Sequence, residues 1–307
     1  MNVSIIIPVF NGQKFITNCI QYLLRQTYQN WQALFINDGS TDNTLETLKQ
    51  FANQDNRIKI ITQKNQGAAK ARETGIKAAQ GDFITFLDVD DTLSNSFLEK
   101  SIAQFTPETD IVVSTFNIIQ ENQTIRKNIK PGYFDKKEYL KKVLTGHYGW
   151  ELCAKMYRRS LFEQPLNTPA NIRIGEDAAI FIQLILRSRR INVLNEPLYN
   201  YIQYNSSASH VQSKEYAEET LKAGFFIKSI LEQDEIYNTI NSEAQAMLLL
   251  FFSNSTRKAY LGNKHPLVQR VHNEAYSFKS LNLLPLKKSI YITFYFLFGK
   301  HINKIIH

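Results

Sequence analysis

The hydrophobic positions of the first hundred residues fall in short unbroken blocks that alternate with amphipathic stretches. Val3–Val9 is almost wholly apolar, and Phe15, Ile16, Cys19, Ile20, Leu23 and Leu24 follow at helical spacing. Trp31–Ile36 is a second strand-like block. The turn Asp38-Gly39-Ser40-Thr41-Asp42 then leads into a helix carrying Leu45, Leu48 and Phe51, with Ser40 or Thr41 expected as its N-cap. Arg57–Thr62 is predicted as a third strand, Ala68–Ala79 as a third helix and Asp82–Leu87 as a fourth strand. Strands that are apolar throughout and separated by helices predict an α/β architecture, a mostly parallel sheet covered on both faces. Ligands of such sheets bind beyond the carboxyl ends of the strands. Pro8–Asn11, Asn37–Ser40 and Asp88–Asp91 therefore fall along one edge.

The pattern loosens after residue 105. Asp110–Phe116 reads as a strand, and Glu121–Lys130 as a hairpin or a loop. Gly175-Glu176-Asp177 opens a helix with Ile180, Phe181, Leu184 and Ile185 on one face, and a short strand Ile191–Leu194 precedes Pro197 and the aromatic run Tyr199, Tyr201, Tyr204. From about Glu215 onward the spacing is helical. The expected organisation is an α/β domain over residues 1–210, in two parts, 1–105 and 106–210, followed by a helical region over residues 211–307.

Composition narrows the function classes. The 307 residues are 43% hydrophobic, ample for a sizeable core, and a formal charge of +8 points to an anionic substrate or partner. The two cysteines, Cys19 and Cys153, imply neither a disulfide framework nor a thiolate metal cluster and fit a reducing, cytoplasmic setting. The start of the chain lacks the features of a signal peptide, and no apolar run reaches the roughly 18 residues that span a bilayer. Neither G-x-G-x-x-G nor G-x-x-x-x-G-K-[ST] occurs, and no helix-turn-helix, zinc-finger or aromatic RNA-binding pattern supports a nucleic-acid partner.

Candidate chemistry concentrates in Leu87-Asp88-Val89-Asp90-Asp91, where three carboxylates follow a buried strand directly. Like charges this close repel, and the arrangement becomes favourable around a hard cation such as Mg²⁺ or Mn²⁺, which commonly also holds a substrate phosphate. The plainer alternative is that Asp88 ends the strand while Asp90 or Asp91 caps a helix through Leu93, Phe97 and Leu98.

The ordered set Val-Ser-Ile-Ile-Ile-Pro-Val-Phe-Asn-Gly (3–12), Asn37-Asp38-Gly39-Ser40-Thr41-Asp42, Asn65-Gln66-Gly67 with Ala71-Arg72, Leu87-Asp88-Val89-Asp90-Asp91, Lys155-Met156-Tyr157-Arg158, Gly175-Glu176-Asp177 and Tyr199-Asn200-Tyr201 resembles the family 2 glycosyltransferases over roughly residues 1–205. The resemblance implies a Rossmann-like GT-A fold and inverting transfer of a sugar from a nucleotide donor to a glycan or lipid-linked acceptor in surface polysaccharide, lipooligosaccharide or wall polymer synthesis. A non-catalytic nucleotide-sugar binding protein of the same fold is the alternative. It would share Asp38 and Asp90 but would not need Asp177.

The resemblance also implies residue roles. Asp90 matches the metal-binding aspartate and Asp88 the position that contacts donor ribose or metal, with Mn²⁺ or Mg²⁺ as cofactor. Asp177 matches the base that takes the acceptor proton, with Glu176 second; both also suit the first turn of a helix. Asp38 matches the aspartate that accepts from uracil, hence a UDP-sugar expectation, and an Asx turn is its alternative role. Pro8, Val9 and Asn11 would line the base, and Gly67, Arg72 and Val89 complete the donor set; Arg72 is either a phosphate ligand or a solvated helix residue. The chain departs from the family pattern at Asn37, where an aspartate is usual, and at Glu73, where an asparagine is common. Lys155 and Arg158 either neutralise phosphate or hold the acceptor, or, more plainly, are scattered surface cations, and His147, Trp150 and Tyr204 are residues that stack on sugars or fill the core.

The last thirty residues hold Lys279, Lys287, Lys288, Lys300 and Lys304 but no acid, and between them runs the aromatic block Ile290–Phe298. This reads either as attachment of residues 285–307 to an anionic membrane surface, peripheral on the inner face of the plasma membrane, or as a helix packed on the catalytic domain.

Overall fold

The computed structural model describes residues 1–121, 123–168, 174–204, 213–258 and 261–299. The chain first alternates as β1 (Val3–Val9), α1 (Gln13–Leu24), β2 (Trp31–Asp38), α2 (Thr44–Ala52), β3 (Ile58–Gln63), α3 (Ala68–Ala78) and β4 (Phe83–Phe86). Then come β5 (Thr92–Leu93), α4 (Phe97–Ile102), β6 (Thr109–Gln120), β7 (Gln123–Arg126), β8 (Gly132–Asp135), α5 (Lys136–Leu144), β9 (Lys155–Arg158), α6 (Glu176–Arg187) and β10 (Arg190–Ile202). The helices α7 (Lys214–Leu231), α8 (Tyr237–Lys258), α9 (Pro266–Ala275), α10 (Phe278–Asn282) and α11 (Leu286–Phe298) follow.

The described strands form one sheet in the order β3-β2-β1-β4-β9-β6-β10-β5, with β7 on β6 and β8 on β10. β1, β2, β3 and β4 are parallel neighbours, whereas β9 runs antiparallel between β4 and β6. Alternate residues explain why β1 is apolar on both sides. Val3, Ile5, Ile7 and Val9 join the core built with Ile16, Cys19, Ile20 and Leu23 of α1. Ile6 faces the other way, toward Gly75 of α3.

The chain divides into two compact units. One comprises Met1–Lys136, Glu151–Leu166 and Arg187–Asn205 and holds the whole sheet. The other comprises Lys137–Trp150, Asn167–Leu186 and Ser206–His307 and is helical.

Several local expectations change. No helix starts at Asp90 or Asp91: Thr92–Leu93 pairs antiparallel with β10, and α4 begins only at Phe97, after Ser96. Neither Ser40 nor Thr41 caps α2, which starts at Thr44 behind Asn43; Asp42 instead accepts from the Thr44 N–H at 3.0 Å. Glu121–Lys130 contains β7, the return arm of a hairpin on β6. The short strand expected at Ile191–Leu194 continues to Ile202 across Pro197. Proline has no N–H to give the ladder, and the register with β6 shifts on both sides of it.

Candidate active site

Four strand-end turns of the sheet unit are tied into a closed ring. After β1, Asn11 takes up a left-handed φ of 49°, its N–H donates to Ser40 Oγ at 3.0 Å, and its Oδ1 accepts from the Thr41 N–H at 2.8 Å. At the end of β2, Asn37 Oδ1 accepts from the Ser40 N–H at 3.1 Å and so holds the turn that follows. The asparagine that replaces the usual aspartate is thus a buried turn former.

Asp38, 3% exposed, carries the ring onward to α3. Its Oδ1 accepts from Gln63 Nε2 at 2.7 Å and from the Gln66 N–H at 3.0 Å, and its Oδ2 from the Gly67 N–H at 2.8 Å. Thr74 Oγ1 donates to Gln63 Oε1 at 2.6 Å and so fixes which end of that amide faces Asp38. A carboxylate offers about four acceptor positions, and three are filled here. Gly67 has φ 87°, a region that favours glycine, and this lets the chain turn into α3 with its N–H on Asp38.

Arg72 is 6% exposed, which sets aside the solvated-helix alternative for it. Its Nη2 donates to Asp88 Oδ1 at 3.1 Å, which links α3 to the acidic turn after β4. Glu73, one residue on, is held by Lys70 at 2.6 Å and Lys77 at 2.7 Å, and these bonds keep its carboxyl below the usual range. Its extra charge is therefore neutralised within the helix. Val89 closes the ring, since a Cβ added to Gly12 would lie 3.4 Å from Val89 Cγ1 and 2.6 Å from Val9 Cγ2.

The three acids of the turn do not emerge together. Asp88 and Asp90 are half-buried, but Asp91 is 2% exposed and points inward. Tyr199 Oη donates to Asp91 Oδ2 at 2.5 Å, and the Ile202 N–H donates to Oδ1 at 2.8 Å. Burial first, and the neighbouring Asp88 second, push the Asp91 carboxyl up to about 8. Asp90 is also raised, by burial and then by Asp88.

Lys155 and Arg158 depart from the surface-cation reading. Lys155 is 3% exposed and donates to the Cys153 carbonyl at 3.4 Å, next to Ala154 with its φ of 59°. Arg158 reaches the Thr106 carbonyl at 2.8 Å and the Asp110 carboxylate at 3.4 Å. The place of Lys155 in β9, between two antiparallel neighbours, explains its burial, while Arg158 at the end of that strand stays part-exposed. Tyr204 packs on Phe15 at 5.4 Å with Lys14 over both rings. In the helical unit, Trp150 lies against Phe251 at 4.8 Å, and His147 Nδ1 is 2.8 Å from Thr145 Oγ1.

The structure thus brings together Asn11, Asp38, Gly67, Arg72, Asp88 and Val89, while Pro8 and Val9 complete β1 below them. Glu176 and Asp177 belong to the helical unit, where they form the first turn of α6. Gly175 before them has φ 82° and sits so close to Ala223 that an added Cβ would come within 2.9 Å of its methyl. Sequence reasoning missed Asp91 with Tyr199 and Gln63 with Thr74. Asp91 and Tyr199 are 108 positions apart, and Gln63 and Thr74, though only 11 apart, stand on a strand and the next helix, where no sequence period pairs them.

Among the described residues no group of three or more His, Cys, Asp or Glu side chains is placed to hold an ion. The donors present still suit Mg²⁺ or Mn²⁺. Asp88 and Asp90 offer hard oxygens, burial and then Asp88 raise the cost of charge on Asp90, and such ions take one or two carboxylates with phosphate and water completing the shell.

The sheet is mixed, with a parallel run β3-β2-β1-β4 and an acidic turn where β4 ends, the edge at which sheets of this kind bind ligands. The sequence model described as Glycosyl transferase family 2 matches residues 4–165. The chain belongs to glycosyl transferase family 2. EpsJ of Bacillus subtilis (strain 168), described as an uncharacterized glycosyltransferase, is 30% identical over 235 residues, covering 74% of this chain and 68% of that protein. The fold is similar to that of S. aureus TarS 1–349 in complex with UDP-GlcNAc, with a TM-score of 0.73 and 17% identity over 96% of this chain and 87% of that one. It is also similar to the mannosyltransferase PcManGT of Pyrobaculum calidifontis in complex with GDP-Man and Mn²⁺, with a TM-score of 0.54 and 12% identity over 97% of this chain and 88% of that one. The GT-A fold followed by a helical region is thereby shown. Among the described residues no helix is long and apolar enough to cross a membrane.

Proposed function

We propose that this glycosyltransferase moves a sugar, with inversion, from a nucleotide sugar to a hydroxyl of a glycan or lipid-linked acceptor during synthesis of a surface polysaccharide, lipooligosaccharide or wall polymer. The observation that supports this reading is the linked series of strand-end turns, in which the Asp38 carboxylate, the Arg72 guanidinium and the Asp88 carboxylate follow one sheet edge. Residues 1–210 form the catalytic region in this reading, with the donor on residues 1–105. A UDP-sugar is the first candidate donor, since Asp38 has one acceptor position left for a ring N–H. The fold shared with TarS, a UDP-GlcNAc complex, supports that choice.

The backbone of Pro8, Val9 and Asn11 flanks the base, and Gly67 allows close approach. Arg72 orients Asp88 and offers positive charge to the diphosphate. Asp90 and Asp88 would hold Mn²⁺ or Mg²⁺, which supplies, when bound, Lewis-acid stabilisation of the charge gathering on the leaving diphosphate. Asp177 acts as base, with Glu176 as the second candidate. The acceptor oxygen forms its bond to the anomeric carbon, the bond from that carbon to the phosphate oxygen breaks, the proton passes to the Asp177 carboxylate, and nucleoside diphosphate departs.

The test is a screen of nucleotide sugars for nucleoside-diphosphate release with Mn²⁺, with Mg²⁺ and with chelator, followed by acceptor trials and NMR of the new anomeric linkage. Metal-stimulated release and an inverted linkage are expected. Binding without turnover across a broad donor and acceptor panel would instead support the non-catalytic alternative.

A further inference from the structure

Helix α11 presents opposite faces to different surroundings. Tyr291, Ile292 and Tyr295 are buried, Tyr291 Oη donates to Thr256 Oγ1 at 3.1 Å, Phe296 stacks on Phe252 at 4.8 Å and Tyr295 meets the same ring edge-on at 5.0 Å. The helix is therefore docked on α8. On its other side Leu286, Ile290, Phe294, Leu297 and Phe298 are exposed, Phe294 at 44% and Leu297 at 66%. Their spacing follows the helical repeat, so they line one stripe. Helix α10, which packs on α11, opens on Phe278, 81% exposed.

We propose that this stripe is an interfacial membrane anchor that seats the helical unit on an anionic bilayer. Its length is the first argument: 13 residues of helix span about 20 Å, short of a crossing, so the helix lies in the plane of the interface. Charge is the second. Residues 275–307 contain Lys279, Lys287, Lys288, Lys300 and Lys304 and neither Asp nor Glu. Exposed Lys279 and Lys287 thus lie beside the apolar residues in a segment with no carboxylate to offset them. Anionic headgroups complement that arrangement. A second copy does not, because a two-fold contact sets each patch against its own like charges. One face of the helix is thus docked on α8 of its own unit, and the other is the face left for the membrane.

Co-sedimentation of the full chain with vesicles of phosphatidylcholine, alone or mixed with phosphatidylglycerol, tests the proposal. Binding to the anionic vesicles is expected, falling with salt, and roughly tenfold weaker on phosphatidylcholine alone. Phe294→Asp and Leu297→Asp should each weaken it by roughly tenfold or more, and Lys279→Gln and Lys287→Gln by roughly fivefold each. Both side chains of the first pair already face water, so their thermal melts should match the parent's. The proposal is overturned if the parent stays in the supernatant with anionic vesicles or if Phe294→Asp and Leu297→Asp bind as the parent does. It is equally overturned if sedimentation equilibrium shows a dimer that Phe294→Asp dissolves.

Discussion

At the scale of single residues, the acidic turn divides its labour. Asp88 and Asp90 keep access to solvent while Asp91 is spent on holding β10, and the direction of each side chain is set by a turn in which the Asp91 N–H donates to the Asp88 carbonyl at 3.0 Å. Tyr199→Phe removes the hydroxyl from a buried carboxyl. It should destabilise the protein by about 2 kcal/mol in denaturant titrations. A surface pair shows the opposite sign of pH dependence to a buried acid. Asp55 takes three hydrogen bonds from the Arg57 side chain and one from its N–H, and the guanidinium holds its carboxyl below the usual range. A depressed folded value means that the stabilisation is present above the unfolded value and is lost as pH falls. Asp55→Asn should therefore cost about 1 kcal/mol or less at neutral pH, with the gap to the parent closing below about pH 4 in melts. The positions of Asp38 and Asp88 were legible because strand ends are legible. The inward aim of Asp91 was not, since it depends on Tyr199, more than a hundred positions away.

At the scale of elements, burial on both faces decided what could be read. β1, β2 and β4 carry apolar residues on each side, and that density marks a strand between two helical layers whatever follows it, while β3, at the sheet edge, is only part-buried. β10 lacked the signature because Pro197 interrupts it, and the two-residue β5 is too short to show a period. Close packing of α3 gives a test at this scale. A Cβ on Gly75 would stand 2.4 Å from Ile6 Cγ2, an atom fixed near the backbone of a buried strand. Gly75→Ala should lower stability by about 1–3 kcal/mol in denaturant titrations, despite alanine's better helix propensity. An unchanged or raised midpoint would mean that α3 does not sit against the sheet as described.

At the scale of the whole molecule, the first unit gathers three separate stretches of chain and the second gathers three more. Grouping of that kind has no local signature. Segments 137–150 and 167–186 carry the same amphipathic spacing as helices that cover a sheet, and only long-range contacts assign them to the helical unit. The GT-A sheet was readable because its motifs recur in order, whereas the base assignment rests on a short acidic pair at the start of α6. Comparing donor binding with turnover in Asp90→Asn and Asp177→Asn tests that assignment and the metal site together. Calorimetric titration with the donor in Mn²⁺, beside nucleoside-diphosphate release, should show Asp177→Asn binding donor as the parent does while losing roughly a hundredfold or more in turnover. Asp90→Asn should lose both. Parent-like turnover in Asp177→Asn, or parent-like donor affinity in Asp90→Asn, would contradict the account.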